Sequence, residues 1–177
     1  MLSGTLVHHS GTWYQVDGLN LDVLPPRRSS PRLLIGAGGP RMLRLAARQA
    51  DVVGLLPAPI RNAEDGDNPA DRLPAAFDAK LAVLREAAGD RFPSLELNAF
   101  ATFIVTDKRR ASTEDLILRR GWTGIDAETA WEMPTIFIGS PAQIRDDLRA
   151  RRDRFGLSYL VVSENALPAL AQIVSAP

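Results

Sequence analysis

RLLIGAGGPRMLRLAARQADVV, Arg32 to Val53, reads as strand, glycine turn, helix and strand. Arg32-Leu33-Leu34-Ile35 is a short apolar run, the pattern of a strand buried on both faces. Gly36-Ala37-Gly38-Gly39 follows at once. Pro40 then suits a first helical position, where the N–H it lacks would go unpaired. Leu43, Ala46, Ala47 and Ala50 share one face of the helix that follows. Asp51-Val52-Val53 opens a second buried strand. In such a βαβ unit, small residues between strand and helix let an anion approach free backbone N–H groups. The same glycines also serve a tight turn with positive φ, and both readings stand. The turn lacks the Lys-Ser/Thr ending of a P-loop. It also lacks the G-x-G-x-x-G fingerprint, because Arg41 takes the place of the third glycine. Arg41 and Arg44 either add charge near a phosphate or are solvated helix residues.

Working outward, the pattern stays α/β. Residues 1–31 read as a β-hairpin, with strands Thr5–His8 and Trp13–Val16, and a proline-rich lead. Residues 32–177 carry four parallel strands with their helices: Arg32–Ile35, Asp51–Leu56, Leu95–Val105 and Leu157–Ser163. A helix over Pro40–Gln49 follows the first strand. Pro57–Ala70 is a loop rich in turn formers, among them Asn62, Asp65, Gly66, Asp67, Asn68 and Pro69. A helix over Asp71–Ala88 carries Leu73, Phe77, Leu81 and Leu84 on one face. A helical insertion spans about 106–134. In it Ser112-Thr113-Glu114-Asp115 offers a cap, Gly121 a stop, and Asp126 the cap of a second short helix stopped by Pro134. The segment Thr135–Ile138 leads to a helix begun by Ser140-Pro141. That helix points Ile144, Leu148 and Phe155 inward, and Asp146, Asp147, Arg149, Arg151 and Arg152 outward, with an Asp147–Arg151 pair at i,i+4 spacing. A last helix covers Ala166–Val174. The whole is expected to fold as a single α/β domain.

Lysine plus arginine equals aspartate plus glutamate at 21 each, so no charge excess attracts nucleic acid or anionic lipid. Cysteine is absent, which removes disulfides, thiol nucleophiles and Cys-based metal sites. No stretch approaches the roughly 18 apolar residues of a membrane span, and no signal-peptide pattern opens the chain. The expectation is a cytoplasmic protein with no nucleic-acid or membrane partner.

Side chains with chemical potential are few. His8 and His9 are neighbours, so in a strand they face opposite ways and cannot share a metal; no metal site is expected. No G-x-S-x-G elbow surrounds Ser10, Ser140 or Ser163, which argues against a hydrolase triad. Asp51 starts a strand and reads as structural. Glu96 and Asn98 share one strand face, either as an inward polar pair or exposed. Glu164 and Asn165 follow the last strand and read as the cap of the final helix. Trp13, Trp122 and Trp131 read as core. Arg109 and Arg110 read as a solvated pair, although their place after a strand also suits an anionic ligand. The catalytic residues stay unknown, and ligand contact is assigned to Gly36, Ala37, Gly38 and Gly39.

The run Gly36–Val53 resembles the fifth strand, turn and helix of the bacterial-luciferase-like flavin and deazaflavin oxidoreductases. Gly11-Thr12-Trp13-Tyr14-Gln15-Val16 is similar to that family's G-x-(aromatic)-Tyr-x-Val hairpin. Leu24-Pro25-Pro26 to Ser30-Pro31-Arg32 is similar to its lead into strand five. Ile138-Gly139-Ser140-Pro141-Ala142-Gln143-Ile144 and Phe155–Val162 resemble its C-terminal helix and last strand. The turn Gly-Ala-Gly-Gly and the segment Leu84–Phe92 look most like the branch that uses coenzyme F420.

The resemblance implies the C-terminal half of a (β/α)8 TIM barrel, strands five to eight, with the family's first half preceding the match. It implies hydride transfer between deazaflavin and an organic substrate, with coenzyme F420 as cofactor and FMN as the alternative, since flavin branches usually carry a serine in this turn. An N-terminally truncated enzyme is the expectation. The alternatives are a non-catalytic cofactor- or phosphate-binding module, an FMN-dependent monooxygenase-like protein, and a half-barrel for sugar phosphates. Four parallel strands leave two edges and an open inner face, so a homodimer, or association with a missing N-terminal half, is expected.

Overall fold

In the computed structural model, residues 5–20, 31–57 and 67–175 are described. The chain divides into two compact units, Met1–Leu33 and Leu34–Pro177. Most of the proline-rich lead, and Asn62, Asp65 and Gly66 of the loop after the second sheet strand, lie outside the described residues.

The first unit contains the expected hairpin, β1 (Val7–Ser10) and β2 (Gln15–Leu19), paired antiparallel. Both strands start two residues later than the sequence suggests, and the second is one residue longer. The Gly11 N–H donates to the Tyr14 carbonyl at 2.9 Å, which draws Trp13 and Tyr14 out of the ladder and into the turn. Trp13 is therefore 87% exposed and is not a core residue. His8 Nδ1 lies 2.7 Å from Asp17 Oδ1 on the exposed ladder.

The second unit is built on a parallel sheet, ordered β3 (Leu34–Ala37), β4 (Val52–Leu55), β5 (Glu96–Phe100), β8 (Leu157–Val161). One face packs on helices. Ala37, Val53, Leu55, Leu97, Ala99 and Leu157 meet Leu43, Ala46 and Ala47 of α1 (Pro40–Gln49), Phe77, Leu81 and Leu84 of α2 (Pro74–Ala88), and Phe155 of α5 (Pro141–Phe155). These are the faces that the 3.6-residue period marks. The opposite face is less covered. Leu34, Phe100 and Tyr159 are 45%, 53% and 41% exposed there, so the first strand is not buried on both faces as its apolar run suggests.

The long apolar run 95–105 is not one strand. Ala101 donates its N–H to Val161 of β8 at 2.8 Å, and Thr102 donates to Thr135 at 2.9 Å. Successive amides point to opposite sides, so the chain changes partner within two residues. Beyond that point β6 (Thr102–Val105) pairs in parallel with β7 (Ile136–Gly139), and Phe103 stacks on Phe137 with centroids 4.8 Å apart.

The helical insertion comprises α3 (Arg109–Arg120) and α4 (Ala127–Glu132), and α6 (Leu167–Ser175) closes the chain. Gly121 ends α3 in the left-handed region at φ 66°. Asp126 caps α4, and its hydrogen bonds with Thr129 hold its carboxyl below the usual range. Ser140 and Gln143 form a reciprocal capping box on α5. Three expectations are corrected. Thr113 caps nothing: it is buried inside α3, where its hydroxyl donates to the Arg109 carbonyl and accepts from Trp131 Nε1. Residues Pro69–Arg72 form a separate 3₁₀ turn, because Leu73 precedes Pro74 and is held extended. The final-helix cap is displaced too: Glu164 and Asn165 lie within a 3₁₀ turn that follows Ser163. No helix of the described residues is long and apolar enough to cross a membrane.

Candidate functional site

The carboxyl ends of β3, β4 and β5 lie together, at the edge of a parallel sheet where α/β proteins place ligand crevices. Gly36 and Ala37 belong to β3 itself, paired with Gly54 and Leu55 of β4, so the turn proper begins at Gly38. The Ala37 side chain is 1% exposed and packs in the core, which leaves only its backbone for any ligand. The Ala37 carbonyl accepts the Leu56 N–H at 3.0 Å.

The three glycines have separate reasons. None has a positive φ, so the tight-turn reading does not explain them. A Cβ at Gly38 would collide with the backbone of Pro57 and lie 3.2 Å from the Leu56 carbonyl oxygen, so glycine there admits the exit of β4. A Cβ at Gly36 would lie 3.1 Å from Leu56 Cδ1. Gly39 is different. Its φ of −100° and ψ of 157° suit any residue, and a Cβ would meet nothing within 4 Å.

Gly39 is also the N-cap of α1. No side chain caps that helix, and its first turn holds no acid. Among the described residues, the N–H groups of Gly38 and Gly39 find no hydrogen-bond partner. Pro40 has no N–H, so the orphan donors of the first turn belong to Arg41 and Met42. Arg41 and Arg44 are exposed, and among the described residues neither takes an ion-pair partner. These groups can hold an anionic group at the helix's positive end.

Leu56 and Pro57 separate this turn from a cleft of about 140 Å³. It opens where β4 parts from the strand that continues as β6. Leu55, Leu56, Pro57, Phe77 and Phe100 give it apolar walls, and Thr102 and Thr135 line it with them. Asp71, Arg72 and Arg120 add charge. Asp67 organises the guanidinium groups. Its Oδ1 accepts from Arg72 Nε at 2.9 Å, and its Oδ2 accepts from Arg120 Nη1 at 3.4 Å and Trp122 Nε1 at 3.2 Å. Behind it Lys80 is 8% exposed, and burial pushes its amine below the usual range, against the opposing pull of Asp71. The sequence names Asp67 only as a turn former and does not single out Arg72, Lys80 or Arg120. Their separation along the chain gives no local signal.

Other sequence candidates fall elsewhere. Arg109 donates to Asp147 at 2.9 Å and stacks on Trp131 at 4.5 Å, while Arg110 pairs with Glu128. Arg109 is thus used internally, while Arg110 is exposed, as the sequence suggests, in an ion pair at the surface. Asp147 and Arg151, expected to face outward, are half-buried; Arg151 donates to the Trp131 carbonyl. Trp122 is buried and Trp131 half-buried. Asn98 is buried and donates from Nδ2 to the Tyr159 carbonyl at 3.1 Å, while Glu96 is half-buried. Among the described residues no three His, Asp or Glu side chains gather as metal ligands.

The fold is α/β, a half-barrel of parallel strands with its crevice at their carboxyl ends. The profile of the luciferase-like monooxygenase family matches residues 1–158, and the chain belongs to that family. Solved structures of the same fold agree. The chain is similar to a coenzyme F420 dependent tetrahydromethanopterin reductase from Methanopyrus kandleri, with 18% identity and TM-score 0.61, covering 92% of this chain and 54% of that one. It is similar to an F420-dependent secondary alcohol dehydrogenase in complex with an F420-acetone adduct, with 13% identity and TM-score 0.58, covering 92% and 52%. An EDTA monooxygenase from Chelativorans sp. BNC1 matches with 16% identity and TM-score 0.60, covering 96% and 49%. The chain thus spans about half the length of these proteins. No curated protein matches the sequence.

Proposed function

We propose that this chain binds coenzyme F420 through an anionic group of the coenzyme at Gly38, Gly39 and the first turn of α1, as part of an F420-dependent oxidoreductase. The observation that carries the reading is Gly39. Neither its backbone angles nor its neighbours require a glycine, while a ligand lying on the unpaired N–H groups does. Gly36 and Ala37 set the height of the turn through the β3–β4 ladder. Arg41 and Arg44 supply positive charge beside it. When bound, the deazaflavin gives or takes a hydride; the protein supplies position and charge. FMN is the alternative coenzyme, since the similar structures include both F420-dependent enzymes and a riboflavin lyase with modified FMN.

Titration of F420 against the chain, read as quenching of the coenzyme's fluorescence, tests the reading. A saturable response stronger than that to FMN supports it. A stronger response to FMN moves the chain to the alternative coenzyme, and no response to either sinks the proposal. Binding without turnover of any substrate would make the chain a cofactor-binding module.

The same reading includes an association through the open face that exposes Leu34, Phe100 and Tyr159, completed by a second copy or by a chain carrying the other half of a barrel. Light scattering on the eluting protein checks this. A dimer supports the first partner, capture of a co-expressed half-barrel supports the second, and a monomer that captures nothing overturns both.

A further inference from the structure

The cleft beside Leu56 and Pro57 carries an inference independent of the coenzyme. We infer that it binds a small monocarboxylic acid, with the apolar body between β4 and β6 and the carboxylate on Arg120 and Arg72.

Size comes first. The cleft measures about 140 Å³. An engineered apolar cavity of about 150 Å³ holds one benzene. The body of the ligand is therefore about the size of a phenyl ring. Leu55, Leu56, Phe77 and Phe100 give it apolar surface on several sides.

Charge comes second. Five ionisable groups stand at or just behind the cleft: Asp67, Asp71, Arg72, Lys80 and Arg120. Among the described residues, three cations face two carboxylates, one positive charge more than these carboxylates match. Lys80 is set against Asp71: its amine donates to the Asp71 carbonyl at 3.3 Å, and the Asp71 charge favours its protonated form. Among the described residues, that leaves Asp67 against two guanidinium groups.

Geometry comes third. Arg72 spends Nε and Nη2 on Asp67 Oδ1, but Arg120 reaches Asp67 through Nη1 alone, at 3.4 Å. Of its five N–H donors, most remain for a ligand, and a carboxylate accepts two at once. Both guanidinium groups also lie over the Trp122 ring, at 5.7 and 5.9 Å from its centre, which holds them in place before a ligand arrives. Thr102 and Thr135 bring polar side chains to the same lining. A neutral alcohol of the same shape would fill the cavity and leave the surplus charge unanswered.

Benzoate is the probe and benzyl alcohol its neutral counterpart. Each is titrated by calorimetry into the full chain without any coenzyme. Benzoate is expected to bind at least roughly tenfold more tightly than the alcohol, and Arg120→Met to remove most of that difference. The indole N–H resonance of Trp122, whose partner is Asp67, should move with benzoate, while that of Trp131, bonded to Thr113, should not. The two are assigned with Trp122→Phe and Trp131→Phe. Equal affinity for acid and alcohol, or a still Trp122 resonance at saturating benzoate, overturns the assignment. Both are read on the unsubstituted protein, so poor folding of Arg120→Met does not protect the idea. Failure of F420 to bind would leave this result untouched.

Discussion

The Pro57 backbone occupies the space that a side chain at Gly38 would need, with the Pro57 carbonyl carbon 3.0 Å from the position of that missing Cβ. One glycine thus fits the turn after β3 against the exit of β4, and Leu56–Pro57 becomes the wall between the turn and the cleft. Gly39, the next residue, meets nothing. Two adjacent glycines therefore answer to different constraints, and substitution separates them.

Gly38→Ala is expected to destabilise the protein by about 1–3 kcal/mol, because backbone rather than a flexible side chain must move. Chemical denaturation measures it. A loss of stability below a few tenths of a kcal/mol would show that the two segments do not meet this closely.

Gly39→Ala should cost no more than about 1 kcal/mol, the usual loss when alanine replaces a favoured N-cap residue, since its angles are ordinary and its surroundings open. F420 affinity should nevertheless fall roughly tenfold, as the added methyl lifts the ligand from the amides. Unchanged affinity would remove Gly39 from the proposed contact.

Arg91 holds the far end of the same helix. Its guanidinium donates to the Ala47 carbonyl at 2.8 Å and to the Ala50 carbonyl, two acceptors at the end of α1. Arg91→Ala should reduce stability by about 1.5–3 kcal/mol, the range for a hydrogen bond to a charged group, read as a lower denaturant midpoint. Arg91→Lys should recover only part of this, because an ammonium lacks the fork that spans two carbonyls. Full recovery by lysine would mean that charge alone matters.

Lys80 should make stability depend on pH. Burial is the main cause of its lowered pKa; Arg72 lowers it further, and Asp71 opposes both. Between the lowered native value and the ordinary 10.5, the unfolded chain binds the proton more tightly. Stability from this group therefore rises with pH through that window, and its penalty is fully present below it. Lys80→Met should abolish the rise and leave the neutral-pH protein at least as stable. Denaturation curves taken at several alkaline pH values, still above pH 7, check this; an identical pH slope in the variant would contradict it.

Much of this fold is written in local pattern. The helix over Pro40–Gln49 follows from its apolar face and its proline, and α5 from Ser140-Pro141 with Gln143. Gly121 and Asp126 mark helix ends because their preferences act within a turn of chain. The strand end at Ala37 is less legible, because pairing between Gly36 and Gly54 extends β3 into what looks like a turn. The break at Ala101 has no local mark at all. Both halves of 95–105 are apolar, and only the arrival of Thr135 beside Thr102 divides them.

The sites divide along the same line. The glycine turn stands out in the sequence because four consecutive small residues between an apolar run and a helical period form a local pattern. What each glycine is for came from the tertiary structure alone, since Pro57 is nearly twenty residues from Gly38. The cluster of Asp67, Arg72, Arg120 and Trp122 was likewise decided by folding, which brings the end of α3 against the 3₁₀ turn before α2. Backbone preference and hydrophobic period act over a few residues and are carried by the chain itself. Shared charge and close backbone crossings arise only when distant segments pack.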